Sequence, residues 1–250
     1  MSAGEGLRLF LARLSSRSEL DTSEQDALLS LPGALVDVPP NRDFVRMGEV
    51  VSHACLVVDG LTGRFGQTRS GERQITSLHI PGDMVDLHSA VVPKAPAALM
   101  ALCKTQILKV PHAALLEISR KHPRIAEAFW RDCVVDGAIS AQWVINVGRR
   151  DSQTRLAHLL CEMAVRYNEI SEDHPVSFHF PATQAQLGDA TGMTSVHLNR
   201  TLRALREKGL VEQQKSLISI PRWSALTKFA EFDSTYLALT SPMEAHDGPS

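Results

Sequence analysis

The stretch that most constrains the fold is residues 181–206, P-A-T-Q-A-Q-L-G-D-A-T-G-M-T-S-V-H-L-N-R-T-L-R-A-L-R. Its pattern predicts two helices meeting at a tight corner. Thr183 can cap the first helix, and Gln186, three residues on, can reach back to the cap amide. That pair is a capping box. Gly192 ends the first helix, because a residue without a Cβ takes the left-handed conformation that a sharp C-terminal turn needs. Met193 plugs the corner and Thr194 caps the second helix. Leu198, Leu202 and Leu205 recur at helical spacing and face inward. Ser195, Val196, His197, Asn199, Arg200 and Arg203 are left facing out, with no acid before Glu207. Gly209 closes the helix, and 210–212 and 217–220 predict two short strands around the polar turn 213–216. Helix, turn, helix and hairpin make a winged helix-turn-helix, which lays its second helix in the DNA major groove.

Charge agrees with that expectation locally. The whole chain of 250 residues has a formal net charge of −2. Residues 181–222 carry Arg200, Arg203, Arg206, Lys208, Lys215 and Arg222 against Asp189, Glu207 and Glu212. Positive charge concentrated on a small domain of an acidic whole is what phosphate contacts require. A hydrophobic fraction of 44% is enough for one large or two small cores. The N-terminus lacks a signal peptide's apolar segment and cleavage site, and no stretch is apolar enough to span a bilayer. The expected location is therefore cytoplasmic, with no membrane partner. Cys55, Cys103, Cys133 and Cys161 are scattered, with no C-x-x-C pair, which predicts free thiols.

Taken in order, residues 1–33 predict short amphipathic helices, with Leu7, Phe10, Leu11 and Leu14 on one face. From 34 to 122 the texture changes. Runs at 35–38, 44–47, 53–58, 61–67, 74–80, 98–103 and 106–110 alternate with turns, as in an all-β barrel or sandwich. Asp59-Gly60 is a strong hairpin signal. Residues 123–148 predict one long helix that is apolar almost all round. Such a helix must be buried on more than one face. Residues 149–225 hold the winged helix, entered through a hinge at 148–151, and 226–250 predict a C-terminal tail, polar and disordered after Pro242.

The stretch T-Q-A-Q-L-G-D-A-T-G-M-T-S-V-H-L-N-R-T-L-R-A-L resembles the helix-turn-helix of the Crp/Fnr superfamily of bacterial transcription regulators. Its S-V-H-L-N-R core is similar to an alphaproteobacterial branch, and weaker resemblance runs from about residue 20 to about 222. The resemblance implies an α+β chain: a cyclic-nucleotide-binding-like β-roll, a long dimerisation helix, and the winged helix-turn-helix. It implies a homodimer on double-stranded DNA with a palindromic site, and it admits RNA polymerase as a further partner. The dimer seam is expected at Ile125, Phe129, Ile139 and Trp143. Ser195, Val196 and Arg200 occupy the family's base-contacting places, with Arg200 suited to guanine O6 and N7. Val196 departs from the Glu that relatives often carry there, which reads cytosine; a valine touches only a thymine methyl. His197 and Thr183 are expected on phosphates, Asn199 on adenine or phosphate, and Arg203 on the same outward face.

The sensory region departs further. Relatives that bind cyclic nucleotides carry an acid for the ribose and an Arg for the phosphate. Asp86 stands near the acid's place, while Ala97 and Ala98 fall in the Arg's region. Lys94 would compensate only as a point charge. The expectation is a regulator that does not depend on cyclic AMP, holds no cofactor or metal, and answers to an effector the sequence does not name. No cysteine precedes Cys55, so the family's N-terminal iron–sulfur arrangement is absent. The alternative is a redox- or haem-responsive regulator using Cys55, Cys103, His79, His88 or His112. A remote alternative is a β-barrel enzyme with an accessory winged helix, but there is no H-x-H, G-x-S-x-G or P-loop, and no catalytic residue is assigned.

Overall fold

A computed structural model describes residues 1–167, 170–171 and 174–238. The N-terminal pair, α1 (Ala3–Ser15) and α2 (Thr22–Leu29), each begin with a capping box, Ser2 with Glu5 and Asp21 with Glu24. Seven strands follow: β1 (Ala34–Val38), β2 (Arg42–Val45), β3 (His53–Asp59), β4 (Thr62–Gln67), β5 (Arg73–His79), β6 (Ala98–Ala101) and β7 (Thr105–Pro111). They form two antiparallel sheets, ordered β1-β7-β3 and β2-β6-β4-β5. Val38, Val45, Val57, Leu99 and Ile107 fill the space between the sheets. The outer face of β3 and β7 is covered by α1, with Leu7, Phe10 and Leu14 against Leu56, Val58 and Leu108.

The chain leaves the roll through α3 (His112–Lys121) and enters α4 (Pro123–Arg149). Here the structure corrects the expected dimer seam. Ile125 is fully buried, and Phe129, Ile139 and Trp143 are 7%, 4% and 5% exposed, all within their own chain. Phe129 stacks on Phe10 of α1 at 5.9 Å. Ile139 and Trp143 join the core shared with the roll's second sheet and the C-terminal domain. The face of α4 left open is a different one, carrying Trp130, Val134 and Val144 at 71%, 69% and 74% exposure. The physical reason is periodicity: a helix apolar on several faces does not reveal in its spacing which face its own subunit covers.

Beyond Arg150 come α5 (Ser152–Arg166), β8 (Val176–His179), α6 (Gln184–Thr191), α7 (Ser195–Glu207), β9 (Glu212–Gln214), β10 (Leu217–Ile220) and α8 (Trp223–Ala230). Strands β8, β10 and β9 form the wing sheet in that order. Leu210 and Val211, expected in a strand, instead sit in the core under α7. The boundary expected at 225/226 falls inside α8. Leu226, Ala230 and Leu237 are buried, so the chain through 238 belongs to the packed domain; the expected disorder after Pro242 lies outside the described residues.

The two domains share one apolar core, and a charged network crosses it. Asp83, at a turn of the roll, pairs with Arg13 of α1 at 2.5 Å and with Arg166 of α5 at 2.7 Å. Arg166 also pairs with the fully buried Glu162. Glu162 accepts hydrogen bonds from Trp143 Nε1 and from Tyr236 Oη, both at 3.0 Å. Arg17 pairs with Asp132 of α4 and donates to the carbonyl of Leu237. Burial pushes the Asp83 carboxyl up, but Arg13 and Arg166 outweigh it and hold it down to about 2. Among the described residues no helix is long and apolar enough to cross a membrane.

Candidate nucleic-acid interface

The corner between α6 and α7 is built by short-range chemistry. Thr183 Oγ1 accepts from the Gln186 amide at 3.2 Å, and Gln186 Oε1 accepts from the Thr183 amide at 2.8 Å. Gln186 is also buried, and its Nε2 donates to the carbonyl of Leu102 in the roll. One side chain thus caps α6 and docks the domain. Gly192 takes φ 64°, ψ 36°, the left-handed conformation the turn requires. Gly188 was not singled out from sequence. A Cβ there would lie 2.6 Å from the Met193 carbonyl oxygen, so the two helices approach as closely as they do only because it is glycine. The available signal is a second glycine one turn before Gly192.

Thr194 caps α7, its side chain accepting from the His197 amide at 3.3 Å. Leu198, Thr201, Leu202 and Leu205 are buried. Ser195, Val196, His197, Asn199, Arg200 and Arg203 are all exposed, on one continuous outward surface, with Thr183 exposed at the start of α6. Arg203 is tied to Glu207 at 2.8 Å. No hydrogen bond or ion pair joins Arg200 to any other described residue, so its guanidinium is open for a bidentate contact. The wing places exposed Lys215 at a left-handed turn, φ 54°, between β9 and β10. Lys208 is committed elsewhere: its Nζ donates to Gln153 and lies over the Phe229 ring at 4.5 Å.

Arg155 is the other residue that sequence reasoning missed. Its guanidinium donates to the carbonyls of Asn146, Arg150 and Thr191, at 3.0, 2.9 and 2.8 Å. It thereby satisfies helix-end carbonyls of α4 and α6 at once and fixes the angle between them. Nothing in the local sequence marks it, because its partners are brought together only by the fold.

The interior of the roll leaves little room, and the larger space lies outside it against α4. Inside the roll, the cavity lined by Val45, Val51, Asp86, Ala95, Ala97 and Leu99 measures about 20 Å³. That is room for about one water, against about 300–1,000 Å³ for small-molecule sites. Asp86 Oδ1 accepts from the Cys55 amide at 2.6 Å, Oδ2 has no partner, and burial raises the carboxyl to about 6. Lys94 is exposed, and Arg73 lies over the Phe65 ring. Arg64 binds Asp136 at 2.8 Å and the Val85 carbonyl at 2.6 Å. An open cleft of about 310 Å³ lies between Arg64, His88 and α4, but its one arginine is already paired and Asp132 adds a second acid.

Cys55 is buried, and burial raises its thiol well above the usual range, as it raises Cys133 to about 11. His79 is buried and pushed down to about 3, while His112 bonds Ser89 at 2.8 Å. Among the described residues no three His, Cys, Asp or Glu side chains gather as a metal site.

Residues 154–229 match the Crp-like helix-turn-helix domain, and residues 35–122 match the cyclic nucleotide-binding domain. The chain is similar to the fumarate and nitrate reduction regulatory protein of Vibrio cholerae, 20% identical over 84% of each chain. It is also similar to the regulatory protein HlyX of Actinobacillus pleuropneumoniae, 25% identical over 76% of this chain and 79% of that one. Among solved structures, FixK2 from Bradyrhizobium japonicum shares the fold with a TM-score of 0.71 at 21% identity, over 80% of this chain and 98% of that one.

Proposed function

The chain belongs to the Crp/Fnr family of DNA-binding transcription regulators, and from that premise we propose that it acts as a homodimer on a palindromic site without a cyclic nucleotide. The observation that carries the reading is the outward face of α7, where Arg200 stands exposed among Ser195, His197 and Asn199, with no partner among the described residues. Thr183 and His197 contact phosphates on this reading, and Arg203 supplies further positive charge. The role is regulatory rather than catalytic, and a bacterial protein working on chromosomal DNA works in the cytoplasm.

The dimer is proposed along Trp130, Val134, Gly137, Ala141 and Val144 of α4. These residues alternate at spacings of four and three, which is a coiled-coil seam. An apolar stripe of this kind, with Trp130 and Val144 more than two-thirds exposed, favours a partner helix over water. Two copies related by a two-fold axis would offer two α7 helices to major grooves about 34 Å apart. Independence from cyclic nucleotide rests on the small cavity inside the roll and on Arg64, the guanidinium beside both that cavity and the cleft against α4, which is already held by Asp136 and the Val85 carbonyl.

The test is sedimentation and gel shift on purified, nucleotide-free protein, with and without cyclic AMP and cyclic GMP. The expected result is a dimer that shifts DNA equally in all cases, and a monomer for Val134→Asp. Micromolar nucleotide binding that tightens the DNA complex would overturn the independence. A folded Val134→Asp dimer would overturn the seam.

A further inference from the structure

A cleft of about 460 Å³ opens where α1, the turn after β5, the end of α5 and the segment after α8 meet. It shares no lining residue with the cavity inside the roll or with the cleft against α4. Its volume lies in the range of small-molecule sites. Leu9, Ala12, Ile80, Pro81, Val165 and Leu237 give it apolar walls. Its polar lining is rich in donors: Arg13, Arg17, Arg166 and Tyr167, with no carboxylate among the described lining residues. Those donors are only partly used. Arg13 pairs with Asp83 through Nη2, which leaves Nε and Nη1 without partners among the described residues. Arg17 gives Nε to the Leu237 carbonyl and Nη1 to Asp132, which leaves Nη2. Arg166 commits both terminal nitrogens to Glu162, Asp83 and the Leu78 carbonyl. Its Nε is buried without a partner, on a side chain only 4% exposed.

We propose that this cleft is a binding site for a small apolar monocarboxylate, its head held by spare N–H groups of the three arginines and its hydrocarbon lying on Leu9, Ile80, Pro81 and Val165. A guanidinium has donors and no acceptor, and an ionised carboxylate has acceptors and no donor, so the two match. The charge count limits the head to one charge. Asp83, Asp132 and Glu162 already face the three arginines, so each further charge enters a network in balance. A single charge with an apolar body therefore suits the site better than a phosphate, which has two charges and no hydrocarbon to set against the walls. The ligand touches α1 and the roll on one side, and α5 and Leu237 on the other. Its binding favours the arrangement in which both domains are packed against it. The site gives the chain a small-molecule input that does not depend on the interior of the roll.

The test is calorimetric titration of the full-length protein with octanoate, hexanoate, 1-octanol and octylammonium, together with thermal melts. Octanoate should saturate a single site per protomer with a Kd on the order of 100 μM, and should raise the melting temperature. Hexanoate should bind about 15-fold more weakly, roughly fourfold for each methylene lost. Octanol should bind at least about tenfold more weakly than octanoate, and octylammonium should not bind. Ala12 is exposed on the wall of the cleft, so Ala12→Trp should block binding while the unliganded protein melts as the wild type does. Arg13→Gln should weaken octanoate about tenfold and leave octanol unchanged, a split that loss of packing alone would not produce. The proposal is overturned if octanoate shows no saturable binding at millimolar concentration, or if octylammonium binds as tightly. It is equally overturned if Ala12→Trp, with a wild-type melt, keeps the wild-type affinity.

Discussion

Trp143→Phe tests where the central helix puts its large side chains. In the structure the indole N–H donates to Glu162 Oε2 at 3.0 Å, and Glu162 is fully buried. The carboxylate keeps Tyr236 Oη and Arg166, so the substitution removes one of three partners. A hydrogen bond to a charged group contributes about 1.5–3 kcal/mol. The smaller ring leaves a void of a few tens of Å³, adding up to about 1 kcal/mol. The expected loss is therefore about 2–4 kcal/mol per protomer, or roughly 1 M in the urea midpoint. The assay is urea unfolding followed by circular dichroism, at one protomer concentration because a dimer's midpoint depends on it. Sedimentation at the same concentration should show the wild-type mass. A variant that falls to monomer while unfolding at the wild-type midpoint would refute this placement and return Trp143 to the dimer seam. Tyr236→Phe provides a second arm: combined with Trp143→Phe, the loss should exceed the sum, since Arg166 alone then faces the buried carboxylate.

Asp86→Asn should stabilise the chain most above pH 6 and match the wild type below about pH 4. Burial raises the folded carboxyl from its usual 3.8 to about 6, so the stability of the protonated form is lost as pH rises through that window, by at most about 3 kcal/mol; thermal melts across pH 4–8 check it. Gly188→Ala should destabilise the C-terminal domain by about 1–3 kcal/mol despite the better helix propensity of alanine, because its Cβ would meet the Met193 carbonyl at 2.6 Å. A melting temperature equal to or above wild type would show that the corner has room to open.

What was legible in the sequence follows the range of the interactions. The α6–α7 corner depends on contacts three to five residues apart, so Thr183, Gln186, Gly192, Thr194 and the leucines of α7 could be placed from spacing alone. The strands of the roll were legible from turns and alternation, within a few residues at their ends. Long-range choices were not. The seam on α4 was assigned to Ile125, Phe129, Ile139 and Trp143, because which apolar face meets α1 and α5 is decided by packing. Arg155, Asp83 and Glu162 draw their meaning from partners on other elements, and a composition-based tail prediction missed α8 and the buried Leu237. That Ala97 and Ala98 stand where the resemblance places an Arg was readable in the sequence. The tight filling of the roll behind them needed coordinates.

The measurement that bears most directly on the central claim is the ratio of specific to random-sequence DNA affinity for Arg200→Ala against wild type, by competition at one fixed salt concentration. Arg200 is exposed and has no partner among the described residues, so the substitution leaves the fold intact. If α7 reads the groove, the ratio falls by about 5- to 150-fold per half-site, while weak binding to random DNA persists. An unchanged ratio, with both proteins folded and dimeric, would contradict the account.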